Sequence, residues 1–252
     1  DGVLVDEVDH EAAVLDAPRR VRRLATHAHV GVEVADHHHP VDRHVVDDPN
    51  VLLVHVTHFN DLMWDSGRTP TRVVEHGVMV PPDVRYSGEL ERGLVVVNGL
   101  AGRGRRLGAD VVARVREEVP LDLVGMGSEK AGGLGEVPHD RLPAFEARYR
   151  FFFNPIRYTS LGLAVCEAMM IGMPIVGLAT TEMVTAVENG VSGYVHTDVR
   201  YLVERMHELL ADPAEARRLG EGARRQARER FRIERFVDDW LDVFRLVAGS
   251  AR

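Results

Sequence analysis

The stretch Thr159–Gly177, reading TSLGLAVCEAMMIGMPIVG, constrains this chain more than any other part of it. Leu161, Ala164, Val165, Ala168 and Met169 recur at the spacing that stripes one face of a helix. Leu163, Met170 and Ile171 cover most of the remaining surface, so the spacing predicts a helix buried nearly all round. Gly172 and Pro174 stop it, and Ile175-Val176-Gly177-Leu178 reads as a buried strand. Thr159 and Ser160 stand where an N-cap belongs, and free amides at such a helix start suit a phosphate. Glu167 is the one acid in the run. A lone buried carboxylate is costly unless something hydrogen-bonds it. Ser160 lies two turns before it and points the same way. Glu167 is therefore either a surface residue on a thin wet stripe or a contact to a ligand held at the helix tip.

The rest of the chain alternates strand and helix. Val51–Val56 reads as a buried strand and His58–Trp64 as the start of a helix. Gly93–Asn98 is a strand, Gly99–Gly108 a loop rich in Gly and Arg, and Ala109–Val119 a helix with Val111, Val112 and Val115 inward. Leu121–Val124 is the next strand, ended by Gly125-Met126-Gly127; Lys130–Glu136 reads as a flexible loop and Arg150–Phe153 as a strand. This order implies an α/β fold, a Rossmann-like parallel sheet with right-handed crossovers. Ligands in such sheets bind beyond the carboxyl ends of the strands. The Arg-rich loop, the Gly-Met-Gly turn and the Thr159 segment all fall there, so they can converge on one cleft. The lone G-x-G does not complete a dinucleotide fingerprint. In the last third, Val199–Leu210 is amphipathic through Leu202, Met206 and Leu209, and Asp212 caps a helix opened by Pro213. Ala214–Phe231 is dense in Arg and Glu and reads as a solvent-facing helix. Phe236, Trp240, Val243 and Phe244 share one face of the last segment.

Length and charge bound the function. The 252 residues suffice for one large or two small domains. A net charge of −8 argues against a general nucleic-acid binder. The single cysteine, Cys166, excludes an internal disulfide framework and fits a reducing cytosol. Ser160–Ala179 is long and apolar, but Glu167, two glycines and Pro174 argue against a membrane span. His37-His38-His39, with His44, His55 and His58, invites a metal reading. Structural zinc sites want paired spacings and often cysteines, so no metal site is expected. Residues 1–36 show little periodicity and carry the basic run Arg19-Arg20-Val21-Arg22-Arg23. They read as foreign to the domain, such as an out-of-frame translation, which sequencing of the parent DNA tests. Asp1 in place of Met reads as the start of a fragment.

Gly162-Leu163, Glu167-Ala168-Met169, Gly172, Pro174 and Ile175-Val176 together resemble the donor-site signature of the retaining GT-B glycosyltransferases of family 4. Val74-Glu75-His76-Gly77-Val78 resembles that family's link into its second domain, and Asn189–Val195 its later turn and strand. The likeness spans Val51 to Phe244 and departs at Thr159, where the family has a first acid. It implies a GT-B C-terminal half plus a remnant of the first domain, since the stretch before Gly77 is too short for a whole one. The expected divisions are 1–36 (irregular), 37–82 (remnant and linker), 83–232 (nucleotide-sugar binding) and 233–252 (a helix crossing back to the first domain).

By the resemblance, Glu167 accepts hydrogen bonds from ribose, and Gly77, Thr159, Ser160, Leu161, Gly162 and Leu163 surround the donor. Arg103 and Arg106, with Arg105 in reserve, would stabilise the leaving diphosphate, a task that suits the guanidinium fork. The implied activity is transfer of a sugar from a nucleotide-sugar donor to an unknown acceptor (glycan, lipid or small molecule) with retention. No cofactor, metal or nucleic acid is implied. The expected location is cytoplasmic, with peripheral contact at the inner membrane face and oligomerisation through an exposed last helix left open. Three alternatives stand beside it: a related nucleotide-sugar epimerase, an inactive nucleotide-binding fragment or interaction module, and a metal-binding histidine module that a metal titration would expose. For the fragment alone, little or no turnover is expected.

Overall fold

The computed structural model describes residues 47–249. The irregular segment 1–36, His37-His38-His39 and His44 lie outside the described residues. A small parallel pair comes first: β1 (Leu53–His55) against β2 (Thr71–Val73), with α1 (His58–Met63) between them. Thr57 caps α1 by accepting from the Asn60 amide at 3.1 Å.

The main body is a five-stranded parallel sheet. Its strands are β3 (Leu90–Val96), β4 (Leu121–Val124), β5 (Tyr149–Asn154), β6 (Ile175–Leu178) and β7 (Gly193–His196). They lie in the order β4-β3-β5-β6-β7, every neighbouring pair parallel. Successive side chains of a strand point to opposite faces, and here both faces are covered. Phe151 and Phe153 join one core, with Val111, Val112 and Val115 of α3 (Ala109–Val115) and Leu202, Met206 and Leu209 of α7 (Val199–Ala211). Phe152 joins the other, with Val165, Ala168 and Met169 of α5 (Leu163–Ile171) and Ala223 and Ala227 of α8 (Pro213–Arg230). That is why β5 is apolar on both sides, as a doubly covered central strand must be. Its one charge, Arg150, is buried and donates to the carbonyls of Gly88, Leu209 and Leu210.

Four expectations need correction. The helix after β5 starts at Leu163, and its N-cap is Gly162 rather than Thr159 or Ser160, with no side-chain cap. The polar pair instead belongs to the irregular segment that brings the chain over the strand ends. The Gly99–Gly108 loop contains one helical turn, α2 (Leu100–Arg103). The Lys130–Glu136 segment is tied down: Leu134 donates to the Leu123 carbonyl, Gly135 to Ser128 Oγ and Gly125 to the Gly135 carbonyl. A 3-10 turn (Ser128–Ala131) precedes it.

The fourth correction concerns α8, which is not simply solvent-facing. It buries Ala216, Leu219, Gly220, Gly222, Ala223 and Ala227. A Cβ at Gly220 would lie 2.0 Å from the Gly172 carbonyl oxygen, and one at Gly222 1.8 Å from that of Val191. Small residues let α8 sit on backbone. Asp212 caps it as expected, accepting from the Ala214 and Glu215 amides.

The last helix, α9 (Ile233–Gly249), packs Phe236, Trp240 and Val243 against Val54 and Val74 of the small β unit. Phe244 remains 43% exposed, as do Val237, Leu241 and Leu246 to a similar degree. No helix among the described residues is long and apolar enough to cross a membrane.

Candidate donor site

Four loops meet at the carboxyl ends of β3, β4, β5 and β6, and hydrogen bonds from backbone and side chains join them. After β3, Gly99 donates to the Met126 carbonyl at 2.9 Å, and Asn98 Oδ1 accepts from the Met126 amide at 2.9 Å. This ties the Arg-rich loop to the Gly-Met-Gly turn. After β5, the amides of Arg157 and Tyr158 donate to the Arg106 carbonyl, at 3.0 and 3.4 Å. Gly108 permits that approach, since a Cβ there would lie 2.1 Å from the Pro155 oxygen. After β6 and ahead of α6 (Met183–Ala186), Thr180 Oγ1 donates to the Ile156 carbonyl and Thr181 Oγ1 to that of Ser160. Thr181 holds φ +46°, the one described non-glycine residue in that region. Strain of this kind persists where surrounding contacts over-determine it.

The glycines mark an open volume at these ends. Nothing lies within 4 Å of where a Cβ would sit on Gly99, Gly127 or Gly162. Gly99 and Gly127 need glycine for their positive φ (+63° and +67°). Gly162 does not: its φ of −67° and ψ of 137° suit any residue. It caps α5: its carbonyl accepts from the Val165 amide at 3.0 Å, and the amides of Leu163 and Ala164 lie ahead of the helix's own ladder.

The named residues fall out unevenly. Thr159, Gly162 and Leu163 are half-buried around the α5 start, while Leu161 is buried in the core, so only its backbone can face the cleft. Ser160 is buried with its hydroxyl unpartnered. Arg103 ends α2 and is exposed, Arg106 is half-buried beside Tyr158, and Arg105 pairs with Asp110 at 2.7 Å. Gly77 has a packing reason of its own, since a Cβ there would lie 2.4 Å from Phe236 Cβ. Its neighbour His76 reaches the backbone of Leu161, which links this turn to the cradle; burial lowers its pKa, opposed by Glu75 and that bond and aided by Arg235.

Glu167 is half-buried midway along α5. Burial raises its pKa, and the charge of His139 opposes the shift. Cys166 beside it is fully buried, which pushes its thiol up, as packing requires.

Three groups at the site carried no sequence signal. Glu182 is buried and accepts from Arg230 at 2.6 Å and from the Phe59 amide of α1 at 2.9 Å; Arg230 also pairs with Glu75. The Phe59 ring meets Tyr158 edge-on at 6.4 Å. These contacts hold the small β unit against the cradle. Thr181 and Glu146 are the other two. His55 lies 3.7 Å from Asp61 and is buried, and no cluster of three metal-ligating side chains occurs among the described residues.

Comparison with known proteins bears on the family and the fold. The model of the family described as "Glycosyl transferase-like" matches residues 105–242. A curated relative, D-inositol 3-phosphate glycosyltransferase of Salinispora tropica, is 35% identical over 108 residues, 42% of this chain and 22% of that protein. Curated relatives are thus matched over 21–22% of their length. Sucrose-phosphate synthase from Thermosynechococcus elongatus superposes with a TM-score of 0.64 at 19% identity, over 79% of this chain and 59% of that one. Anabaena HepE, in complex with UDP-glucose, does so at 0.59 and 15%, over 77% and 63%. The fold is that of GT-B proteins, α/β with a parallel five-stranded sheet.

Proposed function

The chain belongs to the glycosyl transferase-like family, and on that premise we propose that residues 83–232 are the nucleotide-sugar donor-binding half of a retaining GT-B glycosyltransferase of family 4. The observation that carries this reading is Gly162. It caps α5 in an ordinary conformation with open space on its side-chain face, so nothing within the fold asks for glycine there. A ligand lying against the backbone does ask for it. The helix start then offers amides and a positive dipole end to a diphosphate.

Glu167, five residues on, accepts from the ribose hydroxyls. Backbone amides around Ser160–Gly162 hold the diphosphate and sugar, with Thr159 at the sugar as a hydroxyl and Gly77 and Leu163 at the edges. Arg103 and Arg106 stabilise the charge that grows on the diphosphate as the glycosidic bond breaks. Their charge fills the role that a metal serves elsewhere, so the proposed chemistry is metal-independent, with the donor as substrate rather than cofactor. The acceptor attacks the same face through an oxocarbenium-like state, with no protein nucleophile named. The acceptor is a glycan, lipid or small molecule, and the setting cytoplasmic, peripheral to the inner membrane face where the acceptor is a lipid. UDP-glucose in the HepE complex supports a nucleotide sugar as donor class.

Replacing Arg103 and Arg106 together by Ala tests the reading. Affinity for a nucleoside diphosphate should drop far more than affinity for the bare nucleoside. Equal losses for both ligands would point to a folding defect and against the diphosphate role.

A further inference from the structure

The donor reading needs backbone amides aimed at a ligand, and it leaves the strain at Thr181 unexplained. Thr181 takes the first central position of the turn Thr180–Met183, which the Met183 amide closes on the Thr180 carbonyl at 3.1 Å. Its φ is +46°, and Glu182 after it has φ −72° and ψ −10°. That pairing follows a type II′ turn, which favours glycine at the first central position. A β-branched residue with positive φ is strained. Local geometry therefore asks for glycine where the chain has threonine.

The side chain supplies what glycine lacks. Thr181 Oγ1 donates to the Ser160 carbonyl at 3.1 Å. Thr180 Oγ1 already ties this turn to the Ile156 carbonyl at 2.9 Å, so the second bond adds direction rather than attachment. No described peptide bond is cis. In a planar trans unit the carbonyl and the N–H point opposite ways. Holding the Ser160 carbonyl on Thr181 thus turns the Leu161 N–H away from the β6–α6 turn. Leu161 is buried, and its amide donates to no backbone group among the described residues. A buried amide of this kind calls for an acceptor. The next residue is Gly162, with open space on its side-chain face. The Ser160 hydroxyl, buried and without a partner, does not compete for Thr181.

We propose that Thr181 is a positioning residue of the donor site: its hydroxyl holds the Ser160 carbonyl so that the Leu161 amide is presented to the donor's diphosphate. The proposal rests on the donor-site reading for the identity of the ligand. Thr181 acts through the peptide unit and does not touch the ligand. Glycine in its place would relax the turn and leave that unit free to tilt. An N–H bonds an anionic oxygen more strongly than a neutral acceptor, so the effect falls on the diphosphate and spares the nucleoside.

The experiment is calorimetric titration of the full chain with UDP, GDP and ADP and with their nucleosides, for wild type, T181G, T181S and T181V. Urea unfolding and carbonyl carbon NMR of Ser160 are read on the same samples. T181G should unfold close to wild type, because relief of strain offsets the lost bond. Its diphosphate affinity should fall roughly ten-fold, the upper weight of one neutral hydrogen bond, with nucleoside affinity unchanged. T181S keeps the hydroxyl and should restore diphosphate affinity. T181V keeps the branch without the hydroxyl and should lose as much as T181G; the glycine and serine variants decide the matter if it does not fold. Wild-type diphosphate affinity in T181G, nucleoside affinity that falls in step with it, or T181S as weak as T181G overturns the proposal. If the folded wild type binds none of the three diphosphates, the donor reading fails, and the Ser160 carbonyl signal decides the positioning. A signal that shifts in T181G and returns in T181S supports the hold, and one indifferent to both refutes it.

Discussion

At the residue scale, Gly162 and Glu167 carry the most. Ala at Gly162 meets no atom and no forbidden backbone region. Gly162→Ala should therefore cost the fold under about 1 kcal/mol, the usual worth of an N-cap change, while weakening diphosphate binding by a larger factor. Urea unfolding beside titration separates the two, and equal, small effects on both would remove the reason for glycine given above. Glu167→Gln keeps size and removes charge, so nucleotide affinity should fall by about 1–3 kcal/mol; an unchanged affinity would end the ribose role. Both residues stand out in the sequence because they break a pattern, one as an acid in an apolar run. Glu146 breaks none. It sits among charged residues in a stretch without strong periodicity, and only the packing of α4 (Leu142–Glu146) on α5 shows that it is buried. Thr181 is equally silent, because a positive φ in a threonine leaves no compositional mark.

At the element scale, the strands are legible because β5 and β6 are apolar runs bounded by Pro and Gly, the mark of strands covered on both faces. The start of α5 is not. Thr159 and Ser160 look like caps, but the chain must first pass over the strand ends. It is held there by Arg106, Thr180 and Thr181, partners remote in sequence. The charge density of α8 hides its packed face for a related reason. Its contact residues are Gly and Ala, which carry little hydrophobic signal yet allow backbone approach. Gly220→Ala should destabilise the chain by about 1–3 kcal/mol through overpacking against the Gly172 carbonyl. Chemical denaturation reads this directly, and a neutral result would mean that α5 and α8 can separate freely.

At the scale of the whole molecule, the sheet order β4-β3-β5-β6-β7 places four loops at one end. The Glu182–Arg230–Glu75 network and α9 bind the small β unit to that end. The sequence shows the alternation that makes such a sheet, and the rule that ligands bind beyond the carboxyl ends of parallel strands points to this end. It does not show that α1 reaches the cradle, since that contact joins Phe59 to Glu182 over 123 positions. The cleft is thus framed by both units, with open space beside Gly99, Gly127 and Gly162. The measurement that tests this most directly is calorimetric titration of the folded chain with UDP, GDP, ADP and uridine. One diphosphate should bind well above the bare nucleoside, with the preference lost when Arg103 and Arg106 are both Ala. A folded chain that binds none of them, or binds uridine as tightly as UDP, would contradict a diphosphate cradle at the start of α5.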